Sequence, residues 1–429
     1  MKILVRGGRV IDPGQNLDGE RDVLVEDGLL VDLVNPGGAG SWAAEARIIE
    51  VKDLLITPGL IDMHVHLREP GEEYKETIAT GAAAAAAGGF TAVAAMPNTH
   101  PVNDNRSVTE FILNQARLAG QARVWPIAAM TRGGLGEELG EYGDLAEAGA
   151  VAISDDGRPV PSAQMMRRVL EYSKAFGLLA IAHAEELSLS AGGLMNEGRI
   201  STRLGLDGIP AAGEEIAVFR DVRLAELTGT PLHLAHISTA GAVEIIRRAK
   251  AAGVPVTAET APHYFSLTEA AVMGYRTEAK VNPPLRTSRD LEAVRTGLAD
   301  GTIDAIATDH APHSELEKNI EFDQAACGIP GLETALPLTL NLVSEGVLTL
   351  TQAVAALSLN PAKILGLTGG TLKKGRPADL TVIDLRHQWI VEGARFKSLG
   401  RFTPFENRLM TGQAFLTMVQ GRIVHKLLP

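Results

Sequence analysis

The stretch DMHVHLREPG, residues 62–71, sets His64 and His66 one residue apart and follows them two places later with Arg68. Only 11 histidines occur in the chain, so two this close invite a chemical reading. On a strand, alternation sends residues two apart to the same side, and both imidazoles would then face one space. Imidazole nitrogen and carboxylate oxygen both suit Zn²⁺ and similar divalent ions. More such donors recur downstream: Asp155 and Asp156 in ISDDG, His183 in IAHAEE, His236 in LAHIST, and Asp309, His310 and His313 in ATDHAPH. Any one of these histidines alone would be read as a core or surface residue. Four histidines with one or two carboxylates, however, are enough for two metals about 3.5–4 Å apart that share a hydroxide. A metal needs no guanidinium beside it, since the positive charge would oppose binding. Arg68 is therefore expected to grip a substrate carboxylate in bidentate fashion. Its plainer alternative is an exposed ion pair with Glu69 or Glu72.

Residues so far apart must be gathered by a regular scaffold. Eight short apolar runs end at or near them: LIDMHVH, TAVAAMP, RVWPIAAM, AVAIS, LAIAHAE, LHLAHIS, PVTAETAPH and AIATDHAPH. Helical stretches such as SVTEFILNQARLAG, SAQMMRRVLEYSKAFG and TAGAVEIIRRAKAAG lie between most of them. This alternation predicts repeated βα units and a parallel sheet. Eight strands is the number a (β/α)₈ barrel requires, and such barrels carry their active sites at the carboxyl ends of the strands. His64 and His66 end the first run, Asn98 follows the second, Asp155 and Asp156 end the fourth, His183 the fifth, His236 the sixth and Asp309 the eighth. GAAAAAAGG at 81–89 reads as an alanine helix closed by glycine. Both ends of the chain differ from this middle. KILVRGGRVIDPG and DVLVEDGLLVDLV near the start, and ADLTVIDL and AFLTMVQGRIVHK near the end, are short β-rich runs broken by turn residues. We expect residues 1–56 and 371–429 to form one composite β-sandwich, and 57–370 the barrel, with helices over 331–368 leading back.

Composition narrows the function classes. The 429 residues carry a formal charge of −12, from 52 acidic and 40 basic side chains, and contain no dense basic run. Nucleic acid and anionic membrane are thus not expected partners. Cys327 stands alone, which leaves no intrachain disulfide and no zinc-finger-like cysteine cluster. MKILVRGGRVIDPG is too polar for a signal-peptide core, and no run of about 20 apolar residues follows. A reducing cytoplasm is the expected compartment.

The motifs DMHVHLREPG, AMPNT, ISDDG, AHAEE, AHIST, VNPPLR and ATDHAPH, in this order, closely resemble those of the class I bacterial dihydroorotases of the amidohydrolase superfamily. The resemblance spreads through the whole barrel and includes the terminal β-rich segments. It implies reversible cyclisation of N-carbamoyl-L-aspartate to (S)-dihydroorotate in de novo pyrimidine (UMP) synthesis. It assigns His64, His66 and Asp309 to one Zn²⁺ and His183 and His236 to a second, with Asp156 binding or bridging both. Asp156 is preferred to Asp155 on the family motif alone. Many superfamily members use a carbamylated lysine as the bridge, but no lysine occurs between Lys75 and Lys174. The resemblance further implies a metal-bridging hydroxide as nucleophile, with Asp309 as general base and acid. Arg68, Asn98 and His313 would hold the substrate carboxylate, and Asn282 with the backbone at Cys327 and Gly328 would contact the ring. His66 sits beside this substrate space as well. The family usually has an aromatic residue where Cys327 stands, a departure that bears on the ring contact; for the side chain itself a buried structural role is expected. A homo-oligomer is expected, with aspartate carbamoyltransferase as a candidate partner.

Other histidines receive plainer readings. His100 is expected in a solvent-facing loop, and His233 to face away from His236 and pack on a helix. His263 could approach the mouth from the seventh strand, and His387 and His425 should lie on the surface. Two competing functions are a hydantoinase or allantoinase, which need no carboxylate clamp, and a non-catalytic partner of aspartate carbamoyltransferase that has lost its ligands. Arg68 argues against the first and the filled ligand positions against the second.

Overall fold

The computed structural model describes residues 1–427. Eight parallel strands form the expected barrel in sequence order: Leu60–Val65, Phe90–Ala95, Arg123–Ala128, Ala152–Ser154, Leu179–Ala182, Leu232–Leu234, Val256–Thr260 and Ala305–Ile306. Closure comes at the carboxyl end, where the His66 amide donates to His310 O at 2.8 Å and Val65 bridges His310 in parallel. Several strands are only two to four residues long, because the polar residues after them leave the ladder. Met63, Ala94, Ile127, Ala152, Ile181 and Ala305, from six different strands, and Ala235, just past the end of a seventh, pack with Leu365 into one buried cluster that fills the barrel.

Amphipathic helices cover the outside. The helices Arg106–Ala119, Ala163–Ser173, Ala240–Ala251 and Ser288–Asp300 each begin on a side-chain cap, Asn105, Ser162, Thr239 and Thr287, that accepts a backbone N–H of the first turn. Their apolar stripes, including Ile112, Val169, Leu170, Val243, Ile246 and Leu298, join the large cluster around the barrel. The alanine helix Ile78–Ala87 is capped by Thr77 and buried along most of its length, so only methyl-sized side chains fit.

Strands from both termini form one hydrogen-bonded mixed sheet of eight strands. Leu55–Pro58 joins the two ends: it pairs parallel with Lys2–Asp12 and antiparallel with Leu380–Ile390. Ile3, Val5, Val10, Val23 and Ile56 share a core with Leu380, Val382, Leu416 and Met418. The sheet is tied to the barrel where Thr381 Oγ1 donates to Gly89 O at 2.6 Å and Thr417 Oγ1 to Ala86 O at 2.7 Å. The end of the alanine helix and the entry to the second barrel strand are thereby anchored. No helix among the described residues is long and apolar enough to cross a membrane.

Candidate functional site

The barrel rim is built where strands stop. Asp62 Oδ1 accepts the amides of His64 and Thr308, each at 3.1 Å, and so locks the first strand to the eighth beneath the H-x-H pair. Arg68 (φ 63°), His236 (φ 36°) and Asp309 (φ 49°) all adopt the left-handed region, which costs non-glycine residues energy. Each of these turns the chain at the rim, and the rest of the fold must hold them there. After His236, Ser238 and Thr239 donate to the buried Glu214 carboxylate, with Thr239 N at 2.9 Å, before Thr239 caps the next helix.

Six side chains from five strand ends converge. Asp156 Oδ1 lies 3.4 Å from each of His64 Nε2, His183 Nδ1 and His236 Nε2, and Asp156 Oδ2 lies 3.4 Å from His66 Nε2. Asp309 Oδ1 lies 3.1 Å from His66 Nε2 and 3.7 Å from His64 Nε2. Two compact donor groups result, His64–His66–Asp156 and Asp156–His183–His236, with the donor atoms of each within 4.8 Å of one another. Asp156 belongs to both. The Nε2 of His64 is buried and has no hydrogen-bond partner. A buried lone pair facing two carboxylates is costly unless something positive completes it, and this nitrogen–oxygen donor set suits a divalent cation. Burial alone would raise the Asp156 carboxyl, but the imidazoles of His64, His183 and His236 hold it well below the usual carboxylate range. Asp309 is likewise held low against burial by His66 and the neighbouring imidazoles.

Asp155 turns elsewhere. Its Oδ1 accepts Met130 N at 2.8 Å and Thr131 N at 3.1 Å, and Thr131 Oγ1 donates to its Oδ2. The two neighbouring aspartates thus divide their tasks, one tying the third strand's end and one facing the imidazoles.

Two carboxylates that the motif reading did not single out stand behind the histidines. Glu259 Oε1 lies 2.7 Å from His64 Nδ1, and Glu185 Oε2 lies 2.8 Å from His183 Nε2. Burial would raise Glu259, yet His233 and His64 bring it down to about 2. A signal existed in the sequence: each is an acid within or just after an apolar strand, where an unpaired charge is expensive.

Beside the imidazoles lies the guanidinium. Arg68 is 8% exposed, its Nε donates to Pro312 O at 3.3 Å, and it forms no ion pair with a carboxylate among the described residues. The surface-pair alternative is not observed. Glu69 accepts Ile78 N at 2.8 Å, and Glu72 pairs with Lys75 at 2.6 Å. His313 Nε2 lies 3.3 Å from Arg68 Nη2 and 2.8 Å from Cys327 O. Asn98 Oδ1 faces His66 Nδ1 at 2.8 Å, which leaves its amide NH₂ free to donate. A recess of about 230 Å³, lined by Arg68, Asn98, Asp156 and Arg158 among others, opens next to these groups. Asn282 Nδ2 donates to Glu185 Oε2 at 3.3 Å. Gly328 (φ 133°) donates its N–H to Lys280 O at 2.9 Å, and the buried Lys318 ammonium clamps the loop through the carbonyls of Ala326 and Gly328, both at 2.9 Å.

Three of the plainer expectations need correction or refinement. Cys327 is exposed rather than a buried core thiol, and its carbonyl faces His313. His233 does not face away: its Nδ1 lies 2.8 Å from Thr257 Oγ1 and its Nε2 3.4 Å from Glu259 Oε2. Alternation fails there because the strand ends at Leu234 and His236 sits at positive φ. His425 is partly buried, with a buried Nε2 that lacks a partner. His100 is exposed as expected, while His310 turns away from the site to Glu76 at 3.2 Å. His263 is buried, and burial with the nearby imidazoles of His236 and His64 lowers it to about 4 against the pull of Asp309.

Comparison with known proteins bears on this geometry. Residues 53–242 match a family described as dihydro-orotase-like. The chain is 58% identical over 427 residues to a dihydroorotase of Geotalea daltonii, covering 99% of this chain and 100% of that one. A dihydroorotase of Syntrophus aciditrophicus is 54% identical over 426 residues, with 99% and 100% covered. Among solved structures, the L-hydantoinase (dihydropyrimidinase) of Arthrobacter aurescens superposes with a TM-score of 0.88 at 27% identity, covering 99% of this chain and 96% of that one. A dihydropyrimidinase of Brevibacillus agri, at 22% identity and a TM-score of 0.85 over 99% and 95% of the two chains, shares the fold. With 54–58% identity to dihydroorotases over its full length, and a dihydro-orotase-like family match across residues 53–242, this chain belongs to the dihydroorotase family.

Proposed function

We propose that this chain catalyses the reversible cyclisation of N-carbamoyl-L-aspartate to L-dihydroorotate, as a metal-dependent step of pyrimidine synthesis. The observation that carries this reading is the shared Asp156 between two imidazole groups, with an unpaired, buried guanidinium beside them. His64, His66 and Asp309 would hold one divalent cation and His183 and His236 the other, with Asp156 between. Zinc is the ion the resemblance implies. Bound there, such cations supply a water activated at neutral pH and polarise the amide carbonyl.

The chain's own residues do the remaining work. Arg68, the Asn98 amide and His313 receive the substrate carboxylate and set the ring's orientation, so that little motion is needed to reach the reactive geometry. Asn282 and the backbone at Cys327 and Gly328 border the ring. In the hydrolytic direction water adds to the ring amide carbonyl and the C–N bond breaks. Asp309 takes the proton from that water and returns it to the departing nitrogen. In synthesis the same carboxylate runs the transfer in reverse. The same resemblance extends to a homo-oligomer and to association with aspartate carbamoyltransferase, both open to light scattering of the chain alone and with that partner.

Two measurements test the reading. Zinc-loaded protein is offered dihydroorotate, hydantoin and allantoin side by side, and dihydroorotate is expected to be preferred by at least roughly 10-fold in kcat/KM, the lower end of what a hydrogen bond to a charged group contributes. Equal or better turnover of hydantoin or allantoin would overturn it. Exhaustive chelation is expected to abolish activity and zinc to restore it; full activity in the chelated protein counts against any metal.

Gly328 supplies a further check. A Cβ there would sit 2.5 Å from Ala311 O and 3.1 Å from His313 Nε2, on a backbone at φ 133°. Gly328→Ala must therefore displace the loop from His313, and KM for dihydroorotate should rise about tenfold or more, equivalent to about 1.4 kcal/mol. An unchanged KM would show that this loop does not border the substrate.

A further inference from the structure

His64 and His183 turn opposite ring nitrogens towards the common space. His64 presents Nε2 while its Nδ1 faces Glu259 Oε1 at 2.7 Å. His183 presents Nδ1 while its Nε2 faces Glu185 Oε2 at 2.8 Å. An ionised carboxylate can only accept, so the nitrogen facing it carries the proton and the opposite nitrogen keeps a lone pair. Each glutamate is braced by a second polar neighbour, through a hydrogen bond at Glu185 and through proximity alone at Glu259. Glu259 Oε2 lies 3.4 Å from His233 Nε2, whose ring is held by Thr257, and Glu185 accepts from Asn282. The two braces share no residue.

We propose that Glu259 and Glu185 are positioning residues, each fixing the tautomer and ring orientation of one histidine and each serving a different half of the metal centre. Glu259 serves the His64–His66–Asp156 group and Glu185 the Asp156–His183–His236 group; neither belongs to a donor group itself. The inference rests on the reading that these groups bind divalent cations.

The two halves can be measured apart. On a His236→Ala background only the His64 group is complete, and on a His66→Ala background only the His183 group. Zn²⁺ affinity is read by competition with a chromophoric chelator, with no activity required. E259L should weaken binding about 10–100-fold on the first background, the usual cost of losing a partner of a ligating histidine, and leave the second nearly unchanged. E185L should do the reverse. E259Q and E185Q keep a carbonyl oxygen to accept the N–H and should stay close to their parents. In the zinc-loaded His236→Ala protein, imidazole nitrogen shifts should show His64 protonated at Nδ1, and E259L should disperse that signal.

A leucine variant without effect on its own background overturns the inference. So does one that weakens both backgrounds alike, since general loosening predicts that pattern, and so do glutamine variants as weak as the leucine ones. If E259L does not fold, E185L tests the same claim on a half-buried side chain. Failure of the underlying reading looks different: the parent protein then holds no zinc before either glutamate is changed.

Discussion

Asp309→Asn protein is expected to fold as the parent does and to turn over dihydroorotate about 10²- to 10⁴-fold more slowly, the range spanned by positioned acid–base groups. The change keeps the shape of the side chain and its contact distance to His66, 3.1 Å in the parent, but an amide cannot receive the proton. Because Asp309 is also proposed as a metal donor, metal content must be measured together with kcat. If zinc is retained and kcat falls in both directions of the reaction, the loss belongs to proton transfer. Thermal unfolding should shift by only a few degrees, since a near-isosteric change leaves the surrounding packing alone. Activity within tenfold of the parent, with the metal retained, would remove Asp309 from the transfer step.

Arg68→Ala should separate recognition from chemistry. A hydrogen bond to a charged group contributes about 1.5–3 kcal/mol, so kcat/KM for dihydroorotate is expected to fall roughly 10- to 150-fold. A cyclic amide of the same ring without the carboxylate should be hydrolysed by parent and variant at nearly the same slow rate. The reason lies in the electrostatics of the apo site. Burial lowers the affinity of the guanidinium for its proton, Glu72, Asp309, Glu317 and Asp156 offset this only in part, and no carboxylate among the described residues forms an ion pair with it. A cation so incompletely compensated is expensive to keep and gains most when an anion arrives. If activity on the neutral amide fell as far as on dihydroorotate, Arg68 would be a structural residue of the rim and not a grip.

Much of this site could be read from the chain before folding. Most of the eight apolar runs end in polar residues because a barrel strand is buried until it reaches the rim, and each of the eight is a strand of the barrel. The donor types follow from the same ends. What could not be read were the contacts behind the donors. Asp155 and Asp156 are neighbours of identical chemistry, and only the amides of Met130 and Thr131 decide which of them turns away. His233 was misplaced because alternation was extended past Leu234, where the strand has stopped. A thiol suits a core, which is why a buried Cys327 is expected, whereas the loop that Lys318 clamps leaves it exposed.

Composition and order along the chain thus determined which atoms were available: four imidazoles, two carboxylates and one guanidinium, each at the close of a strand. Only the tertiary structure decided which nitrogen of each ring faces the common space, because that choice depends on Glu259 and Glu185. Glu259 lies 195 positions from the histidine it holds, while Glu185 lies only two positions from its own. Sequence distance carries no information about such a contact, since a hydrogen bond responds to ångströms and angles, which exist only once the barrel has closed.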